Sequence, residues 1–289
     1  MIVLISGHPV IYDECYNSLS NIDFDYKLYS HIWWDDDYMG KFYKMHFSEK
    51  CESYSMSSKF LEKFNPNDYI IDQYKKFDTS FVKFFNAKTF PNSPLEFYRM
   101  MTPIIIYGML SQTYSVRQSF LLSKNEKSDI YIKTRSDVIH TKNIREIISK
   151  LDLSSNKVFF QSSMMGGHLY SGEFPNNPCD WFFVGNKEVM NVITEKWHSG
   201  ILEHYKNGVI HTNDFLKIIC KESHIDFELV DFGAIIYKQS NDYYDRFHNK
   251  IDYYYENFDF VENRPLNIEN WPLWIDMVNF AHFKNINFN

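Results

Sequence analysis

The chain opens on an uninterrupted apolar run, Ile2-Val3-Leu4-Ile5, that turns at Ser6-Gly7. A continuous β-branched run without polar alternation predicts a strand buried on both faces of a parallel sheet. Tyr12–Leu19 reads as a short helix and Phe24–Ser30 as a second strand running on into His31-Ile-Trp-Trp-Asp-Asp-Asp37, which makes a βαβ opening. Tyr69–Ile71 reads as a third short strand among loops and short helices. From Thr102 the period changes: Thr102 is a helix-capping residue type, and Pro103 suits a first helical position. Ile105, Met109, Tyr114, Val116, Phe120 and Leu121 then form an apolar stripe. That spacing predicts a helix of about five or six turns, ending near Lys124-Asn125.

Asp129-Ile-Tyr-Ile-Lys-Thr134 alternates as a strand, and the polar triplet Arg135-Ser-Asp137 stands where it ends. In open α/β sheets ligands bind outside the carboxyl ends of strands, which is where this triplet falls. Beyond it, Asn143–Leu151 reads as a helix, Lys157–Gln161 as a strand, and Met165–Pro178 as a loop rich in glycine and proline. Cys179–Gly185 reads as a strand, Lys187–Tyr205 and Asn213–Glu222 as helices, and Phe227–Tyr237 as a final strand or hairpin arm. The alternation of strands and helices predicts one α/β domain over 1–240, with a Rossmann-like, mostly parallel central sheet flanked by helices. Residues 241–289, aromatic and polar without clear periodicity, are expected to pack on it as an extension.

Composition narrows the class. At 44% hydrophobic and 23% charged residues, the chain is expected to fold as a globular protein. An aromatic content of 18% exceeds what a core needs; it reflects either compositional bias or exposed Tyr and Trp faces suited to sugar rings. A net charge of −7 with no basic run gives no support for nucleic acid as a partner, and none is expected. The four cysteines show no CxxC spacing, so neither a zinc site nor a disulfide framework is signalled, and a reducing compartment fits. The opening run has no basic flank and reads as a strand, not a signal peptide, and no apolar stretch approaches the roughly 20 residues that span a bilayer. A cytoplasmic protein is expected, with membrane contact at most peripheral.

Several segments carry candidate chemistry. In Arg135-Ser-Asp137 a strand-end carboxylate suits a divalent cation and the guanidinium suits phosphate, the two needs of a diphosphate leaving group. Ser6-Gly7-His8 ends the first strand, where glycine lets backbone come close to a ligand. Trp33 and Trp34, ahead of three acids, either stack on a base or sugar or form a half-buried pair. Asp180 and Asp214 offer a general base for an acceptor hydroxyl, and Asp214 equally suits a helix N-terminus. GxGxxG, GxxxxGK[ST], HExxH and GxSxG are all absent, which removes dinucleotide, P-loop, zincin and hydrolase readings.

In order, SGH, a Trp-Trp acidic segment, a long helix, DIYIKTRSD, CDWFFVG and HTND resemble a group of microbial and viral GT-A-type glycosyltransferase-like proteins. In that group a strand of the type YDIxIRxRxD carries the counterpart of an Asp-x-Asp motif. The resemblance implies a GT-A-like fold and transfer of a hexosyl or related group from a UDP- or GDP-sugar to a glycan or other hydroxyl acceptor, often with Mn²⁺ or Mg²⁺. On this likeness Asp137 becomes the metal or diphosphate ligand, and Ser6, Gly7, His8, Trp33, Trp34 and Arg135 line the donor site, while Asp180 or Asp214 serves the acceptor. Arg135 stands where the first acid of an Asp-x-Asp pair would be, which turns the segment toward diphosphate binding more than metal binding. The alternative is a non-catalytic carbohydrate-binding protein on the same fold.

Overall fold

The computed structural model describes residues 1–7, 9, 13–33, 56–72, 95–162, 178–206, 212–236, 258–259 and 264–265. His8, Trp34, the acids at 35–37, residues 163–177, which hold nearly all of the expected loop, and most of the stretch 241–289 lie outside the described residues. The strands of the main sheet are β1 (Ile2–Gly7), β2 (Lys27–Trp33), β3 (Asp68–Asp72), β4 (Tyr131–Thr134), β6 (Lys157–Ser162), β7 (Pro178–Gly185) and β8 (Asp226–Val230). A separate ribbon pairs β5 (Val138–His140) with β9 (Ala234–Ile236), and β10 (Phe258–Asp259) pairs with β11 (Arg264–Pro265). The helices are α1 (Asp13–Ser18, continued by a 3-10 turn over Leu19–Ile22), α2 (Met56–Phe64), α3 (Leu95–Ser123), α4 (Ile144–Ile148), α5 (Lys187–Lys206) and α6 (Thr212–Glu222).

The main sheet runs in the order β3-β2-β1-β4-β7-β6-β8. β1 pairs in parallel with β2 and β4, β2 with β3, and β6 with β8, so β7 alone runs against the rest. The fold is therefore α/β with a mostly parallel sheet between helices. The continuous apolar run of β1 follows from its central place, because successive side chains point to opposite faces and both faces are covered. Ile2 and Leu4 pack with Met109, Val116, Phe120, Trp197 and Leu216 from α3, α5 and α6. Val3 and Ile5 pack on the other face with Ile22, Phe60, Phe64, Ile144 and Ile148. Each fully buried aliphatic side chain stabilises the fold by about 1.5–3 kcal/mol.

Helix α3 lies close on β1 and β2 because Ser111, Ser115, Ser119 and Ser123, four residues apart, bring small buried side chains to one stripe. Ser119 and Ser123 return their hydroxyls to Val116 O and Phe120 O at 2.9 and 2.8 Å, so burial leaves them satisfied. The helix begins at Leu95, ahead of the expected Thr102, and takes in Pro103. Leu95, Glu96, Arg99, Met100 and Met101 are good helix formers and carry the helix past the Thr-Pro start signal. The expected strand Phe227–Tyr237 is broken in two. Gly233 at φ +67 turns the chain between β8 and β9, and a side chain there would meet Thr141 Oγ1 at 2.5 Å. Buried Gln161 fixes this turn, its Oε1 accepting from Phe232 N and Ala234 N at 3.0 and 3.1 Å.

The ribbon strand β5 is tied to the N-terminal layer at His140. Its N–H donates to Ser18 Oγ at 3.0 Å and its carbonyl accepts from the Asn21 amide at 2.5 Å. The His140 ring is buried, packs edge-on against Phe182, and leaves Nδ1 without a hydrogen-bond partner among the described residues. Burial pushes the imidazole down to about 4, below the 6.5 of a free histidine. The unfolded chain therefore binds this proton first: stability is full above about pH 6.5 and is lost progressively as pH falls toward 4. Urea unfolding at pH 7 and pH 4.5 is expected to show a loss on the order of 3 kcal/mol from this group. His140→Gln is expected to remove that part of the acid loss; an unchanged difference between the two pH values would assign it to other groups.

Candidate functional site

In chain order the sheet grows outward from β1 through β2 to β3 and then returns to β4 on the other flank of β1. The order thus reverses between β1 and β4, and in sheets of this kind the carboxyl ends of the strands at such a reversal bound the crevice where ligands usually bind. Ser6 and Gly7 end β1 at this edge, and Arg135 to Asp137 follow the end of β4. Because β7 is antiparallel, its start, with Cys179 and Asp180, lies at the same edge.

Four charged side chains meet there. Arg135 grips Asp137 in a two-pronged pair, Nε to Oδ1 at 2.8 Å and Nη2 to Oδ2 at 2.7 Å. The Asp137 side chain is 4% exposed and that of Arg135 30%. Burial by itself would lower the Arg135 pKa; the charge and hydrogen bonds of Asp137, then the charge of Asp180, turn the shift upward. Lys133, fully enclosed on β4, donates from Nζ to the Asp180 carbonyl. Burial pushes its ammonium down to about 7; Asp180 opposes that shift, Arg135 adds to it and Asp137 opposes it. The Asp180 carboxylate is half-buried and accepts from Gln112 Nε2 of α3 at 2.6 Å through Oδ2. Its Oδ1 has no hydrogen bond among the described residues. Burial pushes the neighbouring Cys179 thiol up, so it stays protonated and is a poor nucleophile.

The other side of the crevice is held by a second polar chain. Gly7, at φ +118, donates its N–H to Ser115 Oγ at 2.9 Å. Ser115 Oγ lies 3.0 Å from the His31 carbonyl and 2.8 Å from His31 Nδ1, and His31 Nε2 is 3.2 Å from Asp72 Oδ2. Tyr114 OH donates to the same Asp72 oxygen at 3.1 Å. Among the described residues a side chain added at Gly7 would meet nothing within 4 Å, and the left-handed backbone there favours glycine.

The structure thus brings Ser6, Gly7, Arg135, Asp137 and Asp180 to one edge. Trp33 is on the same edge but only 1% exposed, its Nε1 bonded to Ser111 O at 3.2 Å and its ring against His31 and Tyr114. Of the two readings open for Trp33, a stacking face and a half-buried pair with Trp34, the structure buries the Trp33 ring in the core, so it offers no stacking face, while Trp34 lies outside the described residues. Asp214 is in the first turn of α6, with its side chain outside the described residues. Lys133, Gln112, His31, Asp72 and Ser115 were not singled out from the sequence. Lys133 alone carried a signal, since any side chain of a central strand faces a covered layer.

A divalent cation at Asp137 can be tested on the donors present. Both carboxylate oxygens are taken by Arg135, and among the described residues no three His, Cys, Asp or Glu side chains converge on a position that could hold a metal ion. A cation there would also meet the guanidinium charge, a repulsion of about 4 kcal/mol per unit charge at 4 Å under partial screening. In this arrangement the described residues do not fit the metal. A cavity of about 690 Å³ lies at the opposite, amino edge beside Ile2, Lys27, Leu122 and Glu126. Two of the charged residues that line it, Lys27 and Glu126, pair with each other at 2.8 Å.

No protein-family model matches the sequence, and no curated protein matches it. The fold is similar to that of several solved glycosyltransferases. The apo form of mouse xyloside xylosyltransferase 1 matches at 12% identity over 79% of this chain and 84% of that one, with a TM-score of 0.36. GlyE of Streptococcus pneumoniae TIGR4 matches at 11% identity and TM-score 0.37 over 88% of this chain, which spans about half (50%) of that one. The galactosyltransferase LgtC, in complex with donor and acceptor sugar analogs, matches at 9% identity and TM-score 0.34 over 78% of this chain and 72% of that one. TM-scores of this size define no residue correspondence. Among the described residues no helix is long and apolar enough to cross a membrane.

The buried lysine sets a stability trade-off. Its folded pKa of about 7 lies below the 10.5 of a free lysine, so its burial costs least above pH 10.5 and the cost grows as pH falls toward 7. Wild-type stability, measured by denaturant unfolding, is expected to rise between pH 7 and 9, and Lys133→Met is expected to flatten that rise. An equal slope in both proteins would show that Lys133 does not titrate in this window.

Proposed function

We propose that the protein is a glycosyltransferase that moves a sugar from a UDP- or GDP-sugar to a glycan or other hydroxyl acceptor. The observation that carries this reading is the convergence of Arg135, Asp137, Lys133 and Asp180 at the β1/β4 reversal, the edge at which the sequence resemblance expects the donor diphosphate. Ser6 and Gly7 bound the nucleotide side of the crevice, where glycine lets a ligand come close to the backbone and no described residue lies within 4 Å of a Gly7 side-chain position. As the bond from the sugar C1 to the diphosphate oxygen breaks, the leaving group gains negative charge, and the fixed guanidinium of Arg135 stabilises it without reorganising. The acceptor oxygen forms the new bond to C1 and gives its proton to Asp180. Gln112 on Oδ2 orients that carboxylate and leaves Oδ1 for the proton.

The role of Asp180 separates transfer from mere sugar binding. Release of UDP or GDP from a panel of nucleotide-sugars with simple glycan acceptors is expected for the wild type. Asp180→Asn is expected to lower turnover about 10²–10⁴-fold while donor affinity stays within about threefold. Turnover that survives in Asp180→Asn would move the base elsewhere, with Asp214 next in line. Glycan binding with no nucleotide bound and no release would support the carbohydrate-binding alternative.

A further inference from the structure

We infer that the crevice holds the donor's diphosphate on Arg135 in place of a divalent cation, with Asp137 serving as the anchor of the guanidinium and not as a metal ligand. This rests on the glycosyltransferase reading and deepens it. Arg135 and Asp137 are two residues apart across the turn that leaves β4, and their paired hydrogen bonds fix the guanidinium in one orientation. The pairing consumes the Nε and one Nη2 hydrogen. Nη1 keeps both of its hydrogens, with no partner among the described residues, on a side chain that is 30% exposed. A planar fork held this way meets a phosphate with two parallel hydrogen bonds, which a point charge does not do.

The surroundings favour the same assignment. Asp137 is 4% exposed with both oxygens on the guanidinium, so a metal would have to displace a neighbour that is tethered by only two residues. The next carboxylate, Asp180, already accepts from Gln112 on one oxygen, and no three metal-ligating side chains converge among the described residues. Lys133, fully enclosed on β4, donates to the Asp180 carbonyl and holds the start of β7 against the strand end that carries Arg135. The orientation of the guanidinium is set before the anion arrives, which lowers the ordering cost of binding.

Calorimetric binding of UDP, GDP and inorganic pyrophosphate to the full chain, in EDTA and in Mn²⁺, tests this. Affinity is expected to differ by less than about threefold between the two conditions, and to fall about tenfold or more in Arg135→Met in both. Asp137→Asn discriminates further, because asparagine accepts from the guanidinium through one oxygen only and loosens its hold. Binding is expected to weaken by the same factor in EDTA and in Mn²⁺, whereas loss of a metal ligand would weaken it in Mn²⁺ alone. Thermal melts of each variant confirm the fold, and Arg135→Lys, which preserves the partner charge for Asp137, is expected to restore only part of the affinity. Binding that strengthens about tenfold with Mn²⁺, survives Arg135→Met and is lost in Asp137→Asn would overturn the inference and leave the glycosyltransferase reading standing. Absence of binding by all three probes would overturn both.

Discussion

Enclosure of the central strands on both faces is the constraint from which the rest follows. β1 and β4 pair in parallel, with β2 on one flank and β7 on the other, and helices cover each face. Such strands cannot expose polar side chains along their length, so polar chemistry collects where they end. The reversal of strand order between β1 and β4 then opens one of those ends. Ser115 shows how closely the edge is held: one small hydroxyl engages the Gly7 amide from β1 together with the ring and carbonyl of His31 from β2. Its removal would leave buried polar groups from two strands unpaired, each at a cost of about 1–3 kcal/mol.

The charges at the edge are arranged so that each is answered within hydrogen-bond reach. Asp137 neutralises Arg135, and Lys133 is placed on a backbone carbonyl with Asp180 nearby. A buried lysine is costly, and its retention in an otherwise apolar strand marks a position where stability has been given up. Among the described members of this cluster, the Arg135 guanidinium and the Asp180 carboxylate are the ones that stay partly exposed. The other members of the cluster hold them.

Much of this was legible in the residues. The apolar run Ile2–Ile5, the strand at Asp129–Thr134, the polar triplet after it and the strand at Cys179–Gly185 were all readable from periodicity, and with them the mostly parallel sheet. β5 escaped because three residues carry no period, and the start of α3 was obscured by a Thr-Pro pair that the helix passes through. The break between β8 and β9 was signalled only by Asp231-Phe-Gly233, whose φ requirement shows in coordinates and not in spacing. At the site, Arg135, Asp137 and Asp180 could be named because each stands at a strand end. His31, Asp72 and Ser115 could not, because they come from β2, β3 and α3 and are joined only by the fold.

The central claim is that the β1/β4 carboxyl edge receives the donor's diphosphate, and a crystal structure of the full chain grown with UDP and without divalent metal tests it most directly. The expected result is a diphosphate within hydrogen-bond reach of Arg135 Nη1, the Arg135–Asp137 pair intact and Asp180 Oδ1 facing the open space beyond the terminal phosphate. UDP seated in the amino-edge cavity beside Lys27 and Glu126, or at the carboxyl edge with Arg135 withdrawn from both, would contradict the claim.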